Sequence, residues 1–363
     1  MRTWIELHKK AVYHNIEQIS KFCKKPVIAV IKSDAYGHGL QEMGALYEQH
    51  PAVSSIAVAH AAEALELKGT TKPILVLAHS TNYLEELISA GVHITIYDKK
   101  IIQECVYYAR KLNKPAYVHL KVDTGMNRLG LSAQDVLDII SLSLPELQCI
   151  GISTHLNDKD AEDTTYTKYQ LSMFDNVRCQ LPDTILTHAL SSGSLEYSKQ
   201  YQHSMIRVGT HLYGFWSSAT SKQRLLAHDA GFSLQPIAQW KSSIVQIKQI
   251  PQGSCVGYNR TFQAPHDMTI AIIPVGYADG YPRQLSNKGY MRIKGVVVPV
   301  IGVVSMNLIA LDVSNVPSIT YQDEVVIYDE YYETSVERAA HICNTLQIDL
   351  TTKMHSDIKR LIV

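Results

Sequence analysis

None of the six cysteines, at positions 23, 105, 149, 179, 255 and 343, stands in a Cys-x-x-Cys pair. That scatter argues against a structural zinc site and against a disulfide framework, so reduced thiols and no metal are expected. Net charge is also missing: lysine plus arginine and aspartate plus glutamate number 34 each in 363 residues. Without a surplus of either sign there is no general electrostatic case for a nucleic acid or membrane partner, and small-molecule chemistry becomes the default. No run of about 18 apolar residues occurs, and the opening MRTWIELHKK lacks a charged head followed by an apolar core. A soluble, cytoplasmic protein is expected.

Eight short apolar runs are present in the first 214 residues: 26–32, 54–60, 73–79, 93–98, 116–124, 147–156, 184–192 and 205–214. Stretches of helical periodicity lie between most of them, among them NYLEELISAG, KKIIQECVYYARKLN, SAQDVLDIISLS and TKYQLSMFDNVRCQ. Eight strand-helix units are the count that closes a (β/α)8 TIM-type barrel, although an open doubly wound sheet uses similar units. After about residue 230 the runs become close-spaced and β-type, separated by turns such as PQG, DGYP, NKG and SNVPS. The fold class expected is therefore α/β, a barrel over residues 1–229 followed by a mainly β domain over 230–363, with the junction in HDAGFSLQP.

The stretch KPVIAVIKSDAYGHG, residues 25–39, ends a strand-like run on Lys32. A lysine there either points to solvent or must be paired, neutralised or used covalently, because burying its charge is costly. In a barrel the active site lies at the carboxyl ends of the strands, so the residues there can be read as a set. The set holds Lys32 and Tyr36, then Lys121, Asp123 and Arg128, then His155, then His188 and Ser192, then Arg207 to Thr210. Core packing alone would fill most of these places with apolar or small residues. Ser192-Gly193 and Gly209-Thr210 fall on the loops that bind phosphate in such barrels. A lysine facing a phosphate pocket suggests pyridoxal phosphate. Arg207 can only donate to a ring nitrogen and so leaves it neutral, which suits reversible proton transfer better than decarboxylation or elimination.

With those residues in hand, the chain resembles the bacterial alanine racemases, fold-type III pyridoxal 5'-phosphate enzymes, along nearly its whole length. AVIKSDAYGHG is similar to the family's pyridoxal-lysine signature, HLKVDTGMNRLG to its carboxylate-recognition strand, and MIRVGTHLYG to its ring-nitrogen and phosphate segment. VGYNRTF and IAIIPVGYADGYPR are similar to its catalytic-tyrosine and entrance segments. The resemblance implies that Lys32 carries the Schiff base and acts as base on one face, and that Tyr258, brought from the partner subunit of a homodimer, acts on the other. It further implies that Arg207 faces the ring nitrogen, that His155 bridges Arg207 and the partner's Tyr258, and that Tyr36, Ser192, Gly209 and Thr210 hold the phosphate. Arg128 with the Met306 N–H would meet the substrate carboxylate, Tyr277 would line the entrance, and Lys121 matches a position often carbamylated. The function implied is interconversion of L- and D-alanine, supplying D-alanine for peptidoglycan.

Four positions depart from the family pattern. Ser191 stands where asparagine is usual, Asn307 replaces an aspartate, Leu350 replaces a tyrosine, and Asn259 follows Tyr258 in place of a frequent glycine. These bear on substrate range, so a broader amino-acid racemase acting on serine, for instance, is an alternative. A pyridoxal phosphate-binding protein with little catalysis is another, and Tyr258 together with the second domain weighs against it.

Overall fold

The structure is a computed structural model that describes residues 2–67, 69–78, 80–157, 161–201 and 203–363. The chain forms two compact units: Val12–Ala35 with Met43–Leu234, and Met1–Ala11 with Tyr36–Glu42 and Gln235–Val363. Numbered along the chain, β1 (Thr3–Leu7) belongs to the second of these. Among the described residues the first unit holds eight strands: β2 (Val27–Val30), β3 (Val53–Val58), β4 (Ile74–Val76), β5 (His93–Ile96), β6 (Ala116–Lys121), β7 (Leu147–Ser153), β8 (Leu186–His188) and β9 (Ile206–Val208). Each falls on one of the eight apolar runs, β3 beginning one residue ahead of its run.

All the ladders among them are parallel, in the order β8-β7-β6-β5-β4-β3-β2-β9. Backbone bonds from Met205 to the Thr187 carbonyl (3.1 Å) and from Arg207 to the Leu190 carbonyl (3.0 Å) span the remaining gap between β8 and β9. Parallel neighbours need long crossovers, and helices supply them. Lys99–Leu112 starts where the Asp98 side chain accepts from the Lys100 N–H, buries Ile101, Cys105 and Ala109 as one stripe, and stops at left-handed Asn113. Ala133–Ser141 is capped by Ser132 in the same way.

The second unit is built on a nine-stranded sheet containing β10 (Ala238–Ser243), β11 (Gln246–Ile250), β14 (Met268–Ile273), β15 (Tyr290–Ile293), β16 (Val296–Ile301), β17 (Ile309–Asp312), β18 (Glu324–Tyr328) and β19 (Lys359–Ile362). A small hairpin, β12 (Cys255–Val256) with β13 (Phe262–Gln263), leads up to β14. Its core includes Trp240, Tyr281 and Tyr328, ring against ring. In that sheet β1 lies between β10, antiparallel, and β19, parallel. This corrects the expectation that residues 1–229 all belong to the barrel. A five-residue strand paired with segments more than 230 residues away has no local signature to read.

Candidate active site

The barrel unit places Lys32 directly after β2, where Ile31 still bonds to the ladder through the Ala57 carbonyl at 2.8 Å. The chain then winds left-handed, with φ of 56°, 52°, 51° and 56° at Ser33, Asp34, Ala35 and Tyr36, and 83° at Gly37. Left-handed backbone costs non-glycine residues about 1–2 kcal/mol each. Four in succession persist only where the surroundings over-determine them, a pattern that clusters at functional sites. One support is the Glu63 carboxylate, which accepts from the Ser33 N–H. Lys32 itself is half-buried, and burial foremost, then the cations Arg128 and Arg207, push its amine below the ordinary lysine range.

Lys121 ends β6 and joins the same electrostatic cluster. Burial first, then Arg207 and Arg128, push it down to about 8, against a smaller opposing pull from Asp123. Arg128 is exposed. Four cations thus act on one another at the carboxyl ends of β2, β6 and β9, an arrangement that favours anionic ligands and neutral amines.

Arg207 is buried on β9 and is held by acceptors from two other strands. Its Nη1 donates to His188 Nδ1 at 2.7 Å, and its Nη2 to the Thr154 carbonyl at 2.9 Å and His155 Nδ1 at 3.0 Å. His155 and His188 are therefore parts of one guanidinium-binding arrangement. Sequence reasoning singled out both but missed His119 and His93, which lie beyond His188. Its one clue was the alternation of His119 with Lys121, which puts the two on one face of β6.

At the next two loops, the Gly209 and His211 N–H groups converge on Ser192 Oγ at 3.2 and 3.3 Å. Thr210 begins the short helix Thr210–Tyr213 between those two amides, and Ser192 begins Ser192–Lys199. Two converging amides beside hydroxyl side chains are the chemistry a phosphate needs. Ser191, the departure from asparagine, is buried and donates its N–H to Ser194 Oγ at 2.9 Å.

The remaining predicted residues lie in the β unit. Tyr36 is buried, and its carbonyl accepts from His38 Nδ1 at 3.0 Å. Tyr258 opens the turn Tyr258–Arg260 and is 65% exposed. Asn259 there adopts φ 60°, ψ 8°, the left-handed region in which asparagine is the best-tolerated substitute for glycine. Tyr277 and Met306 are neighbours: the Tyr277 N–H donates to the Ser305 carbonyl at 3.1 Å and the Ala278 N–H to the Met306 carbonyl at 3.0 Å. A Cβ at Gly276 would overlap both of those carbonyls, which explains the glycine. Leu350 is buried, and with Tyr277 it lines a groove of about 690 Å³. Asn307 lines another, of about 390 Å³, with Arg2. The predicted set is therefore shared between the units, with Lys32, Lys121, Arg128, His155, Ser192, Arg207, Gly209 and Thr210 in the barrel.

Residues 7–216 match the family model for the alanine racemase N-terminal domain, and residues 237–362 match that for the alanine racemase C-terminal domain. An alanine racemase of Methanococcus maripaludis is 32% identical over 99% of this chain and 98% of its own length. One of Clostridium perfringens is 34% identical over 90% and 86%. The solved alanine racemase of Clostridium difficile superposes with a TM-score of 0.92 at 30% identity, covering 100% of this chain and 96% of that one. Matched by both domain models and by relatives above 30% identity along almost its full length, the chain belongs to the alanine racemase family.

Proposed function

We propose that this protein interconverts L- and D-alanine with pyridoxal phosphate, Lys32 and Tyr258 carrying the proton on opposite faces of the substrate. The observation that carries the reading is the barrel cluster: an amine held below the ordinary lysine range beside Arg207, on a barrel whose next loops converge two amides on Ser192. A lysine held below its ordinary range loses its proton more readily, which makes it a better nucleophile and general base. These groups fit the cofactor. When bound, pyridoxal phosphate supplies an aldehyde and a ring that delocalises the negative charge left by the α-proton.

Each remaining role falls to this chain's own residues. Ser192, the Gly209 and His211 amides, Thr210 and Tyr36 would bind the phosphate. Arg207, a donor without acceptor capacity, would face the ring nitrogen and keep it unprotonated. Arg128 and the Met306 N–H would orient the substrate carboxylate. Lys32 takes the α-proton from one face and Tyr258 returns one to the other, so configuration inverts, and the reverse reaction exchanges the roles. Lys121, with an amine near 8, has the neutral fraction that carbamylation requires. Exposed Tyr258, Tyr277, Met306 and Leu308 on the β unit support a homodimer in which that unit serves the partner's barrel. The product would supply D-alanine to peptidoglycan synthesis from the cytoplasm.

Complementation tests this arrangement. Lys32→Ala and Tyr258→Phe chains should each be inactive as homodimers, with losses of about 10²- to 10⁴-fold for the acid/base group. Co-expressed, they should regain activity at one composite site per heterodimer. Verified heterodimers that racemise nothing would refute a shared site.

A further inference from the structure

Behind Arg207 the barrel interior holds a line of imidazoles. His188 Nε2 lies 3.0 Å from His119 Nδ1, and His119 Nε2 lies 3.1 Å from His93 Nδ1. His188 and His119 are buried, whereas His93, the first residue of β5, is half-buried at the amino end of its strand. The line therefore runs from the amino-terminal side of the barrel to Arg207.

We propose that His93, His119 and His188 form a relay of hydrogen bonds with one fixed direction that positions Arg207 from inside the barrel, with His93 as its terminal acceptor. The direction follows from donor chemistry. A guanidinium only donates, so His188 Nδ1 must be bare and its proton must sit on Nε2. That N–H points at His119 Nδ1, which must be bare in turn, so His119 carries its proton on Nε2 and donates that N–H as a hydrogen bond to His93 Nδ1. Reversing the relay would set an N–H of His188 against an N–H of Arg207 across 2.7 Å. Each ring can pass only one direction because each is neutral: burial pushes His119 down to about 3, His93 to about 4 and His188 well below its ordinary value.

The backbone makes room for the relay. β6 and β8 are not neighbours, so the His119–His188 bond must pass over β7, where Gly151 pairs with His119. A Cβ at Gly151 would meet the Leu186 carbonyl oxygen of β8 at 2.7 Å and His119 Nδ1, the atom that accepts the His188 hydrogen bond, at 3.0 Å. Glycine leaves that space open.

The consequence for turnover rests on the racemase reading, but the proton pattern does not. Long-range 1H–15N spectra of the holoenzyme labelled in histidine, assigned by substitution, distinguish bare from protonated ring nitrogens. Bare Nδ1 at His188, His119 and His93 is expected, and a protonated Nδ1 at His188 or His119 overturns the relay whether or not alanine is racemised. For function, His93→Phe keeps a ring but removes the acceptor. It should mix the His119 proton pattern and lower kcat roughly 10-fold or more with little change in KM, by letting Arg207 shift. His93→Gln, which restores an acceptor, should recover kcat, an outcome that simple volume filling does not predict. Unchanged kcat in His93→Phe, or equal impairment in His93→Phe and His93→Gln, refutes the positioning role.

Discussion

Replacing Arg128 by methionine should raise the pKa of Lys121, because burial and then the cations Arg207 and Arg128 hold this amine down to about 8. At pH 7 an amine at about 8 is neutral in about one molecule in ten, and an ordinary lysine near 10.4 in fewer than one in a thousand. Lys121 should therefore present over ~200-fold more neutral amine than a surface lysine. The sign is that of a buried cation: lowering pH through about 8 charges Lys121, and raising it restores the neutral form. Competitive acetylation of cofactor-free protein across pH, with peptide mapping in bicarbonate-free buffer, reads this as a midpoint, which separates it from simple shielding. The wild-type midpoint should lie near 8, and Arg128→Met should move it upward without reaching the ordinary value, since burial is the larger cause. Bicarbonate should protect Lys121 wherever it forms a carbamate. A wild-type midpoint at the ordinary lysine value, or one indifferent to Arg128, would refute the reasoning.

Two further outcomes follow from local geometry. Asn259→Gly should leave stability nearly unchanged, whereas Asn259→Val should cost about 1–2 kcal/mol and lower turnover by displacing Tyr258; denaturant midpoints and initial rates check both. Lys72→Met should destabilise the barrel by about 2–4 kcal/mol, since the Lys72 ammonium bonds to the carbonyls of Tyr47, His50 and Val53 at 3.0, 2.6 and 2.6 Å, and a midpoint equal to wild type would contradict that.

The barrel was legible because parallel strands buried on both faces must be apolar throughout, so β2 to β9 stand out as runs. The helices between them were legible because one face is buried, as Ile101, Cys105 and Ala109 show. Lys32 and Arg207 could be noticed because charge at the end of an apolar run demands a reason. His93 could not, and His119 only through its alternation with Lys121, because a histidine within a strand looks the same whether it meets water, an apolar neighbour or another imidazole.

By itself, the sequence determined the order of strands and helices, the identity of the chemically capable residues and, through five motifs in series, the family. Tertiary structure alone decided three things. β1 was assigned to a sheet whose other strands lie at the far end of the chain, since pairing energy depends on proximity that no local pattern encodes. Ser33 to Tyr36 were forced left-handed against their own steric preference, a cost only surrounding contacts can offset. The pKa of Lys121 and the direction of the bonds behind Arg207 arose from neighbours on separate strands, because desolvation and Coulomb interaction act through space and not along the chain.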